Sequence, residues 1–564
     1  MLESMPGRGE RLRFGGIKHT RHPASQERKM SSYQTEAAVP RHESSCYTVW
    51  FRHGAERATV CGLIVALLGG LPSHVAFAEQ APGAATPATS STSPQPSRPA
   101  ITRADLAAAY LRLEQAFFCR PLPPEEVARI NKGFDQATQA FFLGSNAEAI
   151  RRIDSLTESL EPEERKPSER GILSLRVIVD PPVLLANTPQ QVVCRVTSIY
   201  DWPAHDPTTS DLRLRLVGPQ DRIAMERSVA VPLGKGSTID IRVLLEPAAD
   251  RLAPGLYRIE LAPDEGHGVA MARVHVIDGA ALDQQQLAND KRLQQVDVRQ
   301  GQLARALAIC RARNRLLSDH PSEDNSAQFL ADLNRLASDV ASETSALESG
   351  KNPYWNRPGD YWRVLEVGTR EIPLRLYVPK GAAGETPTPL LVVLHGMGGD
   401  ENMFFEAYGA GLIKSLADQK RLIVASPLTY SFGSDIKTLH ALIDALGNDY
   451  SIDRDRVYVL GHSMGAGAAS GLARGNSDTV AAACCIAGGR FQPAQDSAPI
   501  LVVSPELDGI VVPKRLQESA RQAISEGMPG ELKIMPDYGH TLAVGAILPE
   551  AIDWLLRHRR ATSP

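Results

Sequence analysis

The stretch Arg456-Val-Tyr-Val-Leu-Gly-His-Ser463-Met-Gly-Ala-Gly467 decides how the rest of this 564-residue chain is read. Its first five residues have the pattern of a strand, and the small residues from Met464 onward open a helix. Between them, Gly461-His462-Ser463-Met464-Gly465 sets a serine on the strand-to-helix turn. Such a turn is sharp and strained, so the positions two before and two after the serine call for residues without a Cβ, and both are glycine. The hydroxyl then stands exposed above a strand end. The first amides of the helix, at its partially positive end, face any negative charge that develops there.

Outward from this turn the pattern is regular. Pro389-Leu-Leu-Val-Val-Leu-His395 is almost continuously apolar, as expected of a strand buried on both faces. Similar runs recur at Leu422–Ala425, Val457–Leu460, Val480–Ile486 and Ile500–Val503. Helical stretches at Met403–Leu416, Leu439–Leu446, Met464–Arg474, Val512–Ile524 and Leu548–Arg557 separate them, and a strand pair, Tyr361–Val367 with Ile372–Val378, precedes them. The alternation predicts a mostly parallel sheet with helices on both faces and right-handed crossovers. Chemistry in such sheets gathers at the carboxyl ends of the strands.

Those ends carry the candidates. His395-Gly396-Met397-Gly398-Gly399 follows one strand, and glycines there let the backbone approach a substrate. The backbone amides of Met397 and Met464 are the expected oxyanion donors. A general base must come later in the chain. Among the later histidines, His540 lies in the loop Pro536-Asp-Tyr-Gly-His-Thr541, after a strand at Leu532–Met535, while His558 lies among arginines in the closing helix. His462 is expected to pack within the turn. The acid follows Pro499-Ile-Leu-Val-Val-Ser504, in Pro505-Glu-Leu-Asp508-Gly. Asp508 is the choice, with Glu506 and Asp537 as rivals. In these roles Ser463 attacks an acyl carbon, His540 takes and returns its proton, and Asp508 holds the imidazole tautomer.

With these residues in view, residues 353–560 resemble the α/β-hydrolase family. Tyr450-Ser-Ile-Asp-Arg-Asp-Arg-Val-Tyr-Val-Leu-Gly-His-Ser463-Met-Gly-Ala-Gly467 is especially similar to the polyhydroxybutyrate-depolymerase and feruloyl-esterase-like branch, and close to prolyl oligopeptidase catalytic domains. The resemblance implies an exported or surface esterase acting on carboxylic esters. The acid motif departs from its relatives at Ser504-Pro-Glu-Leu507, and no large lid insertion is evident, which favours an open, shallow acyl site.

The remainder of the chain reads as a leader and accessory segments. Ala58–Leu71 is an uncharged run of 14 residues, short against the roughly 20 apolar residues that a membrane-spanning helix needs. Arg52 and Arg57 precede it and Ala76-Phe-Ala78 follows, the layout of a secretory signal cleaved after Ala78. Residues 1–78 are therefore set aside as leader, with the true start of translation open between Met1 and a downstream Met such as Met30. Residues 79–100, with five prolines among Ala, Ser, Thr and Gln, form a tether that cannot bury enough surface to fold. Three amphipathic helices are expected in 101–168, on the faces Leu106/Tyr110/Leu113/Phe117, Val127/Ile130/Phe134/Ala137/Phe141 and Ile150/Ile153/Leu156/Leu160. In 171–278 the period drops to two, at Leu173/Leu175/Val177, Leu212/Leu214/Leu216, Ile239/Ile241/Val243 and Tyr257/Ile259/Leu261. That predicts an immunoglobulin-like β-sandwich, with Tyr257 as its tyrosine corner. Residues 280–350 return to helix, read as a hairpin packed against the first bundle.

Composition narrows the function. The charge is nearly balanced, 61 Lys+Arg against 65 Asp+Glu, which argues against a general nucleic-acid binder. The first 78 residues hold 10 Lys+Arg and 6 Asp+Glu, so the exported part is the acidic one. Its five cysteines, Cys119, Cys194, Cys310, Cys484 and Cys485, are too few for a disulfide framework. An odd number leaves at least one thiol free or paired between chains. No Cys-x-x-Cys or His-x-x-x-His pair is present to suggest zinc, and no Gly-x-Gly-x-x-Gly or phosphate-binding loop to suggest a nucleotide. The expectation is an exported serine hydrolase of carboxylic esters, small or polymeric, without cofactor or metal and meeting a membrane only during export. The alternatives are a peptidase of the prolyl oligopeptidase type and a non-catalytic envelope binding protein. Oligomeric state, substrate identity and disulfide pairing stay open.

Overall fold

The computed structural model describes residues 100–160, 171–200, 209–232, 238–245, 252–263, 270–298, 301–494 and 496–560, all within the unit Cys46–Pro564. The leader and signal assigned to 1–78, and residues 79–99 of the tether, lie outside them. Among the described residues no helix is long and apolar enough to cross a membrane.

Three helices come first: α1 (Arg103–Phe118), α2 (Pro124–Phe142) and α3 (Asn146–Ser159). Pro124 in the first turn and the acidic Glu125 and Glu126 beside it suit the free amides and positive end of a helix start. Ile130, Phe134 and Ala137 of α2 are buried, the face that their three- and four-residue spacing predicts.

Two sheets follow. Strands β1 (Leu175–Asp180), β2 (Val183–Leu185), β3 (Gln190–Ser198), β4 (Thr209–Val217), β5 (Ile223–Pro232), β6 (Thr238–Leu245), β7 (Gly255–Ala262) and β8 (Ala270–Ile277) form one sheet of order β1-β3-β6 and another of order β2-β8-β7-β4-β5. Alternate residues of both, among them Val177, Leu214, Ile241 and Ile259, share one core. The Tyr257 hydroxyl donates to the Ala253 carbonyl at 3.0 Å.

The segment read as a helical hairpin is instead a set of four helices, α4 (Leu282–Gln294), α5 (Gln302–Asn314), the short α6 (Ser326–Leu330) and α7 (Leu333–Glu348). Apart from Leu330 of α6, its core is separate from that of α1–α3. Leu307, Leu333 and Val340 cluster with Leu390, Val392 and Leu394 of the following sheet, whereas Leu113, Ile130 and Ile150 cluster with Leu391 and Val393. The alternation along one strand puts these two sets on opposite faces. A strand apolar on both sides needs cover on both, and each helical segment supplies one.

That sheet is built from β9 (Gly359–Val367), β10 (Arg370–Val378), β11 (Thr388–Leu394), β12 (Ile423–Pro427), β13 (Ile452–His462), β14 (Ala482–Ile486), β15 (Ile500–Pro505) and β16 (Gly530–Met535). Its order is β16-β15-β14-β13-β11-β12-β10-β9. β10 pairs antiparallel with β9 and β12, and the strands from β12 to β16 pair in parallel. Helices α8 (Ile413–Lys420), α9 (Ile436–Gly447), α10 (Met464–Ala473), α11 (Pro513–Ser525) and α12 (Ala543–Leu555) complete it. The helix expected over Met403–Leu416 is broken. After one wide turn at Met403–Ala407 the chain takes positive φ at Gly409, Ala410 and Gly411 (62°, 53° and 77°), and regular helix resumes only at Ile413. A Cβ on Gly411 would stand 2.5 Å from the Phe405 carbonyl oxygen, so this corner tolerates no larger residue.

Candidate active site

The order of the sheet reverses at β11, which has β12 on one side and β13 on the other. Ligands in open α/β sheets bind outside the carboxyl ends of strands at such a reversal. The ends of β11 and β13 carry His395–Gly399 and Ser463 respectively.

Ser463 has φ 54° and ψ −113°, a conformation that costs a non-glycine residue energy and persists only where the surroundings impose it. They do so here. A Cβ on Gly461 would lie 2.1 Å from the Gly465 carbonyl oxygen, and one on Gly465 would lie 2.0 Å from that of Leu394. The Ser463 amide donates to the Ile486 carbonyl at 2.9 Å. The β11 loop crosses close by: a Cβ on Gly396 would sit 2.9 Å from His462 Nδ1 and 3.3 Å from Ser463 Cβ.

Asp508 and His540 meet on neighbouring loops, after β15 and β16. His540 Nδ1 lies 2.8 Å from Asp508 Oδ2, and both side chains are almost wholly buried. Asp508 Oδ1 accepts from the amides of Ile510 and Val511 at 2.8 and 2.7 Å, which leaves Oδ2 for the imidazole. Burial by itself lowers the His540 pKa, but the charge and hydrogen bond of Asp508, with the charge of Asp135, outweigh it and hold the pKa above the ordinary value. The rivals stand apart from this pair. Glu506 is exposed, and Asp537 occupies a left-handed turn at φ 67°. His558 lies past the end of α12 and packs on Trp554. Ser463 is half-buried.

The loops are clamped from a segment that the sequence reading treats only as a core-forming helix. Asn131, Asp135 and Gln139 of α2 reach both of them. The Gly539 amide donates to Asn131 Oδ1 at 2.8 Å. The His540 amide donates to the Asp135 carboxylate at 3.0 and 3.1 Å, and the Gly509 amide donates to Asp135 Oδ2 at 2.8 Å. Gln139 Nε2 donates to the Gly509 carbonyl at 3.1 Å. Burial raises the Asp135 pKa to about 6 against the lowering effect of these amides and of His540. The signal was present as polar residues spaced four apart, one position after Ile130 and Phe134. That places them on the margin of the apolar stripe rather than opposite it.

His462 also does more than pack. Its Nε2–H donates to the His540 carbonyl at 3.0 Å, and its Nδ1 accepts from the Tyr408 hydroxyl at 2.7 Å. The carbonyl can only accept, which fixes the tautomer. Burial, reinforced by His540, holds His462 well below its usual pKa and therefore neutral. Tyr408 belongs to the broken corner, where Glu114 of α1 accepts from the Gly409 amide at 3.1 Å and from the Tyr110 hydroxyl at 2.5 Å. Burial pushes Glu114 up to about 8.

Of the two expected oxyanion donors, Met464 is the first residue of α10, where helix amides have no partner within the helix. Met397 sits in the β11 loop. The next amide, Gly398, is taken up by the Tyr430 hydroxyl at 2.6 Å. His395 is a brace: its Nε2 accepts from the Thr429 amide at 2.9 Å and its Nδ1 faces the Gly396 carbonyl at 2.8 Å. Burial drops its pKa to about 4. Ser326 of α6 hydrogen-bonds Asp400 at the far end of the same loop. Among the described residues the five cysteines are free, Cys119 exposed and the others buried, with Cys484 and Cys485 in the cores of opposite sheet faces. No group of three His, Cys, Asp or Glu able to hold a metal is found among them.

No family model matches the chain. Among solved structures it is similar to a fluorophosphonate-binding serine hydrolase of Staphylococcus aureus, at 15% identity over 35% of this chain and 99% of that one, with a TM-score of 0.30. It is similar to a ferulic acid esterase at 16% identity over 35% and 98%, TM-score 0.31, and to an S-formylglutathione hydrolase of Agrobacterium tumefaciens at 16% over 36% and 97%, TM-score 0.30. The strand order, the serine on its strained turn after β13 and the later carboxylate and histidine in that sequence give residues 359–555 the α/β-hydrolase fold.

Proposed function

We propose that the protein is an exported serine hydrolase that cleaves carboxylic esters through an acyl-enzyme. The buried contact between His540 Nδ1 and Asp508 Oδ2, 2.8 Å long and beside a serine held at a strained φ, carries the reading. Asp508 fixes the proton of His540 on Nδ1, so that Nε2 has a lone pair for the Ser463 proton. In this reading Ser463 Oγ comes within hydrogen-bonding reach of His540 Nε2 when substrate binds, as catalytic contacts commonly close only then. Ser463 Oγ then adds to the ester carbonyl while the amides of Met397 and Met464 receive the oxyanion. His540 returns the proton to the leaving alcohol, and water releases the acid by the same steps in reverse. The immunoglobulin-like sandwich, supported by the Tyr257 corner, serves as a spacer in this reading. Export rests on the signal layout ending at Ala78, and amino-terminal sequencing of the mature protein should begin at Glu79.

The test is hydrolysis of chromogenic esters beside aminoacyl-amide substrates by the purified chain and its Ser463→Ala variant. Ester turnover abolished by the substitution supports the proposal. Turnover of amides alone would move the reading to a peptidase, and no turnover of either would favour a binding protein.

A further inference from the structure

A cavity of about 90 Å³ lies between α1, α2, α3 and the β11 loop, with Tyr110, Phe134, Phe142, Thr138, Met397 and Thr541 in its wall. Two of these residues tie it to the chemistry. Met397 follows Gly396, which approaches Ser463 Cβ to 3.3 Å by its own virtual Cβ, and Thr541 follows His540. Met397, whose amide is an expected oxyanion donor, is itself in the wall, so the cavity lies along the oxyanion loop, with Ser463 and His540 outside its lining. Its other walls come from outside the α/β-hydrolase fold.

The lining is apolar in effect as well as in composition. Tyr110 has its hydroxyl on Glu114 at 2.5 Å, and Thr138 spends its hydroxyl on the Phe134 carbonyl at 3.0 Å. Tyr110 and Phe134 stack with centroids 5.1 Å apart, which makes that wall rigid. A cavity of about 150 Å³ accepts benzene, and a water-sized group takes about 30 Å³. At about 90 Å³ the space is smaller than that benzene-sized cavity and partly open to solvent, so it suits a short acyl chain better than an aromatic ring.

The geometry points to this cavity as the acyl site, and to a short, unbranched, apolar acyl group, butyryl in length, as its occupant. The inference rests on the serine hydrolase reading above. It assigns substrate selection to α1 and α2, not to the catalytic sheet.

The experiment is a kcat/KM profile for nitrophenyl esters of acetate, butyrate, octanoate and benzoate with the full chain. Phe142→Ala and Thr138→Phe accompany it, with Leu143→Ser as a control outside the lining. Fluorophosphonate labelling of each protein is run in parallel. The expected profile peaks at butyrate and falls about tenfold or more to octanoate and benzoate, in the range that misfit of a few methylenes produces. Phe142 is 37% exposed, so its removal opens the site at little cost to folding, and the octanoate-to-butyrate ratio rises. Thr138→Phe fills the site, and the butyrate-to-acetate ratio falls. Labelled enzyme with a flat profile, an octanoate or benzoate optimum, or ratios unmoved in both variants would overturn the acyl-site assignment while leaving the hydrolase reading intact. Failure of the wild-type protein to label would overturn both.

Discussion

Replacing Asp135 separates the clamp from the chemistry, because this carboxylate holds the base loop without belonging to the catalytic set. In Asp135→Ala the His540 amide loses its acceptor at 3.0 Å and the Gly509 amide loses one at 2.8 Å. Gly509 is exposed and can turn to water, but His540 is buried. An unsatisfied buried amide costs about 1–3 kcal/mol, so a stability loss of that order is expected in denaturant titration. The effect on rate comes from displacement of the imidazole, and a misplacement of about 1 Å can cost on the order of 100-fold. A fall of about 10–100-fold in kcat with little change in KM is therefore expected. Asp135→Asn keeps one oxygen for the amides and removes the charge. The charge of Asp135 is one of the influences that raise the His540 pKa. A base must be neutral to accept a proton, so the acidic limb of the kcat/KM profile should move to lower pH in the Asn variant. Well-folded variants with wild-type kcat and an unmoved acidic limb would refute the clamp.

Other expectations follow from the same contacts. Asp508→Asn leaves the fold intact and removes the anchor of the His540 tautomer, and kcat should fall by about 10⁴-fold, measured on an activated ester. Glu114 has a folded pKa near 8 against an ordinary 4.5, so its contribution to stability is complete below about 4.5 and is lost as pH rises through 8. Thermal unfolding should show a decline of up to about 1.4 kcal/mol per pH unit across that window. Glu114→Gln should flatten the decline, leaving the smaller share of Asp135, whose folded pKa is near 6.

Which parts were legible in sequence follows from how local their determinants are. The serine turn was readable because Gly461, Ser463 and Gly465 stand together on one strand and the helix after it, although the clash that bars a Cβ at Gly465 comes from Leu394 of β11. Asp508 and His540 were readable from their order after the turn and from strands that end just before them. The break at Gly409–Gly411 was not, since the apolar spacing of Met403–Leu416 also suits a helix. What decides it is the approach of Phe405, Glu114 and Gly545. The clamp on α2 escaped for a related reason: Asn131 and Asp135 look like ordinary polar neighbours of Ile130 and Phe134 until the loops that need acceptors are in place. Placement of the two helical segments on opposite faces was hidden because an apolar stripe does not name its partner.

The most direct test of the central claim is the site of covalent capture. After reaction with a fluorophosphonate, tryptic mass spectrometry should find a single adduct on Ser463, in the peptide Val457–Arg474, with labelling abolished in Ser463→Ala and slowed in His540→Ala. Absence of an adduct, or an adduct retained in Ser463→Ala, would contradict it.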